Sequence, residues 1–191
     1  MGARETKVNI PENVLAFMEV AANDAGRIAA ESFSQSLYTE IIEGGVSSPI
    51  EQMFLIALNV VAQANFIDIN PAYEFGGEPY LALPGVGIYV FPQHKVGQYR
   101  VDFLLSSRHS DGDRIVVVEL DGHNFHDKNK AQRSYEKARD RFLQRNGYKV
   151  LHFTGSDVCS DPYFVAYEVI CSLETHLDLG EYNKSNPLGI D

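Results

Sequence analysis

The stretch "VVVELDGHNFHDKNK", residues 116–130, decides the fold. With Ile115 before it, the β-branched run has the composition of a buried strand. It ends in Glu119 and Asp121, passes Gly122, His123 and His126, and reaches lysines at Lys128 and Lys130. Two readings fit a buried strand that ends in two acids and opens onto cations. The acids either face solvent beside arginines, or they face a bound ion.

Working outward, "QYRVDFLLSS" and "RIVVVEL" read as two strands with "RHSDGDR" as the turn between them. Downstream, the spacing predicts a helix over 129–146 closed by Gly147, then a strand "YKVLHF" over 148–153. A last helix is expected over 157–178, capped by Ser156 or Asp157. Strand 115–120, helix and strand 148–153 form a βαβ unit, whose strands are parallel neighbours. The hairpin before it makes the sheet mixed. The expected fold is therefore α/β, a mixed β-sheet flanked by helices.

Upstream, residues 12–43 keep helical spacing, as one long helix or two shorter ones, and Gly44-Gly45 ends the pattern. A second helix is expected over 49–65, with Ser48 as N-cap, Pro49 at the first position and Glu51 three after the cap. Residues 66–98 have no clear period, although 85–93 holds a strand. The expected organisation is an N-terminal helical extension (1–45), an α/β domain (46–178) and a loose C-terminal tail (179–191).

Composition narrows the function classes. No apolar run approaches the roughly 18 residues of a membrane span, and the N-terminus lacks an apolar export segment. Two cysteines, Cys159 and Cys171, make no disulfide framework, which fits reduced thiols in a cytoplasm. The net charge of −10 alone argues against a nucleic-acid partner. The average conceals a basic segment. Residues 123–149 hold eight lysines and arginines against three acids, half of the chain's sixteen basic residues. Such a run is either a solvated helix face or a surface for phosphates.

The hairpin register places a third acid. A two-residue turn at Ser110-Asp111 sets Asp102 opposite Glu119. A turn at Asp111-Gly112, the better turn sequence, sets it opposite Asp121. Side chains alternate along strands, so either register puts Asp102, Glu119 and Asp121 on one face. Acids that close repel and raise one another's pKa. A hard divalent cation with oxygen ligands removes that cost.

These residues, "YRVDF…VVVELDGHNFHD…ARDRFLQRNGYKVLHFTGSDV", resemble the PD-(D/E)XK nuclease superfamily. Within it they are similar to the small domains related to very-short-patch repair (Vsr-like) endonucleases, over residues 48–170. The resemblance implies a restriction-endonuclease-like sandwich of bacterial or phage origin that hydrolyses phosphodiester bonds, of DNA, with Mg²⁺ or Mn²⁺. It implies Asp102 and Glu119 as metal ligands, with the carbonyl of Leu120, and Glu51 as the helical acid that completes the shell or holds a metal-bound water. Asp121 stands where the superfamily has lysine, and His152 where the subgroup has arginine. His126 is then the candidate general base, and Lys128, Lys130 and Arg133 the candidate backbone contacts. Two other outcomes stay open. Glu51 can close a capping box with Ser48. The fold can also bind nucleic acid or a protein without catalysis, with the N-terminal helices as a partner surface or a homodimer arm.

Overall fold

The computed structural model describes residues 12–71, 87–122 and 130–188. It divides into two compact units between Thr39 and Glu40, ahead of the 45–46 boundary read from the glycines. Helix α1 (Glu12–Glu43) is continuous and contributes its last turn to the larger unit. There Glu40 is buried and accepts a hydrogen bond from Asn59 Nδ2 at 3.1 Å.

The larger unit holds α2 (Pro49–Ala64), β1 (Ile69–Pro71), β2 (Ile88–Pro92), β3 (Lys95–Val96), β4 (Tyr99–Arg100), β5 (Phe103–His109) and β6 (Gly112–Asp121). It continues with α3 (Lys130–Arg145), β7 (Lys149–Thr154), α4 (Gly155–Ser160), α5 (Pro162–Leu173) and a 3-10 turn at Leu179–Glu181. Five strands form a mixed sheet in the order β1-β2-β5-β6-β7, and β3-β4 is a separate hairpin. The β6–β7 pair is parallel and β5–β6 antiparallel, as the βαβ reading and the hairpin require.

Strand alternation divides the core in two. Val116, Val118 and Leu120 face Phe54, Leu58, Val158 and Ile170, from α2, α4 and α5. Val117 faces the other way, with Leu104 and Leu143 of α3. The fold is thus an α/β sandwich, and β6 is apolar on both faces because both are covered.

Three expected elements differ. The long strand "QYRVDFLLSS" is broken: Tyr99–Arg100 pairs with β3, and β5 begins only at Phe103. The bend at Val101-Asp102 is held by the Gln93 N–H on the Asp102 carbonyl at 2.7 Å and the Val101 N–H on that of His94 at 2.9 Å. The last helix is two helices, because Pro162 has no N–H to continue the first and disfavours a helical Asp161. Its cap is Thr154 rather than Ser156 or Asp157, in a capping box closed by the Asp157 carboxylate. The described part of the tail, up to residue 188, is packed rather than loose. Tyr182 lays its ring 5.1 Å from Phe164 and 5.4 Å from Tyr167, and its hydroxyl donates to Asp161 Oδ1 at 2.8 Å.

Helices α2 and α3 end in the same way. The N–H groups of Gly147 and Tyr148 close α3 on the carbonyls of Gln144 and Leu143, both at 3.1 Å. In α2 the N–H groups of Phe66 and Ile67 close on Gln63 and Ala62, at 3.1 and 2.9 Å. This double closure requires a left-handed residue, normally glycine. Gly147 supplies it at φ 83°, but α2 uses Phe66 at φ 57°, with its ring 98% exposed. Phe66→Gly relieves the strain without loss of packing. It raises stability by about 1 kcal/mol, measured by urea denaturation. A lower midpoint would mean that the ring has a contact that this geometry does not give it.

Candidate active site

The β5–β6 register follows the sum 221: Phe103 pairs with Val118 and His109 with Gly112, so Ser110-Asp111 is the turn. The favoured Asp111-Gly112 turn is not used. In the observed register Arg108 lies opposite Asp113, with Nε 3.5 Å from Oδ1, whereas the alternative would face it with Ile115. Continued by one pair, this register carries Asp102 to Glu119. Asp102 sits just off the sheet, and its Oδ2 accepts the Leu120 N–H at 2.7 Å. Glu119 lies on the α3 face and is only 4% exposed.

Glu51 arrives from the opposite layer, in the first turn of α2. It closes no capping box, since Ser48 makes no side-chain cap bond. Its Oε2 instead accepts from Gln93 Nε2 at 2.9 Å. Gln93 sits at φ 51°, a strained conformation for a residue with a side chain. One residue thereby holds Glu51 through its side chain and Asp102 through its backbone. Sequence reading missed it: "FPQHKVGQYRVD" has no glycine or motif at that position.

The three acids share one electrostatic condition. Burial pushes Glu51 above the usual carboxylate range, and the Asp102 charge adds to this, against the Gln93 hydrogen bond and Arg100. Burial likewise raises Asp102, opposed by the Leu120 N–H and Arg139. Glu119 is pushed up to about 8 by burial, opposed by Arg139 and reinforced by Asp102, Asp140 and Asp121. Acids displaced together in this way mark functional sites more often than structural ones. Asp121 is half-buried at the end of β6 and acts on both Asp102 and Glu119.

Arg139 of α3 forms an ion-pair network beside these acids. Its Nη1 lies 2.9 Å from Glu119 Oε2 and its Nε 3.7 Å from Asp140 Oδ1. His152 Nε2 is 3.5 Å from Asp140 Oδ2. The signal for Arg139 was the basic helix after an acid-ended strand. What sequence could not give was that Arg139 turns inward.

A divalent cation fits part of this donor set. Glu119 Oε1 is buried with no hydrogen-bond partner, beside a second acid that burial also raises. Among the described residues, no group of three His, Cys, Asp or Glu side chains is arranged to hold a metal. Asp102, Glu119 and Asp121 are nonetheless electrostatically coupled, since Asp121 acts on Asp102 and both act on Glu119. Two carboxylates suit an ion that takes its other ligands from carbonyls, waters and phosphate oxygens. His126 and Lys128 lie outside the described residues. Lys130 and Arg133 belong to the first turns of α3, and their side chains also fall outside the described part.

The model of the family REase_MTES_1575 matches residues 75–173, just over half of the chain. The chain belongs to this restriction endonuclease-like family. The match covers the segment that carries Gln93, Asp102, Glu119, Asp121 and Arg139, while Glu51 lies ahead of it. No curated protein and no solved structure matches the chain. Among the described residues, no helix is long and apolar enough to cross a membrane.

Proposed function

We propose that this chain is a metal-dependent nuclease that hydrolyses phosphodiester bonds of DNA, in the Vsr-like manner that its motifs resemble. The observation that carries the reading is the buried Glu119 carboxyl with a bare Oε1 in an acid cluster short of positive charge. Asp102, Glu119 and the Leu120 carbonyl would hold Mg²⁺ or Mn²⁺. A bound ion of this kind acidifies water and stabilises charge on a phosphoryl group. Glu51, raised by burial and held by Gln93, would orient a water and take its proton. His126 is the other candidate base. Lys128, Lys130 and Arg133 would track the nucleic-acid backbone, an interaction that weakens as salt rises. Asp121 adds negative charge where the superfamily has lysine, so the compensating cation must come from another residue. Arg139, which acts on both Asp102 and Glu119, is a candidate.

The test is nicking of supercoiled and single-stranded DNA, with RNA alongside, in Mg²⁺, Mn²⁺ or chelator, by wild type and Asp102→Asn. Cleavage is expected with metal only, and lost in the variant. A second reading, a nuclease-fold binding module without catalysis, draws on the lack of a three-residue metal group among the described residues. Nucleic-acid binding without cleavage in either metal would favour it and sink the first.

A further inference from the structure

The Arg139–Glu119 pair is poorly satisfied for its depth. The two side chains are 14% and 5% exposed. Yet Arg139 Nε, Glu119 Oε1 and Asp140 Oδ1 are all buried without a hydrogen-bond partner. A buried ion pair offsets its desolvation only when its remaining donors and acceptors are engaged. Arg139 Nε and Asp140 Oδ1 face each other at 3.7 Å, too far for a hydrogen bond, and Glu119 Oε1 has no hydrogen-bond partner, so the site has room for further charged groups. The charge balance agrees. Glu119 feels Asp102, Asp140 and Asp121 as like charges, against Arg139. Arg139 also acts on Asp102, so one guanidinium serves both proposed metal ligands.

A divalent ion at Asp102 and Glu119 would stand close to this guanidinium and repel it. It would also compete with it for Glu119. The planar fork of arginine matches a phosphate as well as a carboxylate, so the guanidinium has another place to go when a phosphodiester is present.

We propose that Arg139 is the resident counter-ion of the site and couples its two ligands. It holds Glu119 when no metal is bound, and it yields to the metal when a phosphodiester anion arrives to receive it. The inference rests on the metal-dependent reading above. Arg139 is in this sense a positioning residue acting through Glu119. Metal bound without nucleic acid is then weak, and each ligand strengthens the other by the same factor.

The test is calorimetric titration of the full chain with Mn²⁺, alone, with a short phosphorothioate DNA duplex, and with an uncharged methylphosphonate duplex. For wild type, Mn²⁺ should bind about tenfold more tightly with the phosphorothioate duplex and no more tightly with the uncharged one. Arg139→Gln removes the resident charge. It should bind Mn²⁺ about tenfold more tightly than wild type when alone, and gain less from the duplex than wild type does, because only the ion's own contact with phosphate remains. A merely structural arginine predicts the opposite, because Glu119 would lose its support. Arg139→Gln that binds Mn²⁺ as wild type does, or more weakly, overturns the proposal. So does a wild type that shows no coupling, a result that needs no folded variant. Arg139→Lys keeps the charge and should keep the coupling; its loss in the folded variant also overturns the proposal. If wild type binds no Mn²⁺ under any of the three conditions, the metal-dependent reading itself fails.

Discussion

Glu119→Gln should lower metal-dependent cleavage roughly 10³-fold, the scale for removal of one preorganised charge-stabilising group, and leave the chain folded. Gln keeps an acceptor for Arg139 Nη1, now 2.9 Å from Glu119 Oε2, and keeps the shape of the side chain. What it removes is the charge. The same variant should remove a pH dependence. In the wild type without divalent metal, the Glu119 carboxyl titrates near 8 when folded, against 4.5 as its ordinary value. Between these values the folded chain holds a proton that the unfolded chain has lost. Stability is therefore full below about pH 4.5 and falls as pH rises through about 8. Each tenfold difference in proton affinity between the folded and unfolded chain is worth about 1.4 kcal/mol, so the loss is on the order of a few kcal/mol. Thermal melts from pH 5 to 8.5 check both parts. The wild type should lose stability across this window, Glu119→Gln should lose most of that slope and keep only what the raised Glu51 and Asp102 contribute, and Mg²⁺ in large excess should restore the wild type at the upper end by taking the place of the proton. A variant that unfolds, or a wild type with no slope in chelator, would make Glu119 a structural acid.

The layers and sheet order could be read from the sequence because each rests on a local rule. Continuous Ile115–Val118 between polar ends gives a strand buried on both faces, and Gly147 gives a helix end. Face parity placed Asp102 with Glu119 under either turn, although the turn chosen was the less favoured one. Cross-strand charge, with Arg108 against Asp113, does not appear in a turn rule. The failures have one origin, contacts between residues distant in sequence. Ser48, Pro49 and Glu51 have the pattern of a capping box, and nothing local shows that Gln93, 42 residues away, takes the Glu51 carboxylate. Of the proposed site residues, Glu51, Asp102, Glu119, Leu120 and Asp121 fall among the described side chains. The histidine and lysine roles stay with the stretch 123–130, whose side chains lie beyond them.

The second large effect concerns how Glu51 and Asp102 are brought together from different layers. Glu51 lies one turn before Phe54 on α2, and Asp102 lies immediately before Phe103 of β5. Both phenylalanines are fully buried, and their rings pack at 5.1 Å with 59° between planes. This pair is the apolar peg between the acid of the helix and the acid of the strand. Phe54→Ala should cost about 3–5 kcal/mol through lost burial and the cavity left behind. For a domain of this size that is a fall in Tm of roughly 10 °C. Leu173→Ala provides the control. Leu173 is equally buried, at the far end of α5, where its carbonyl accepts from Ser107 Oγ at 3.1 Å near the β5–β6 turn. It should cost about 2–5 kcal/mol as well. At a temperature where both variants remain folded, Phe54→Ala should lose cleavage at least about tenfold beyond Leu173→Ala, since small misplacements of catalytic groups are costly to rate. Wild-type activity in both variants would mean that Glu51 is held by Gln93 alone. Equal loss would mean that global softening, rather than the spacing of the two acids, limits the site.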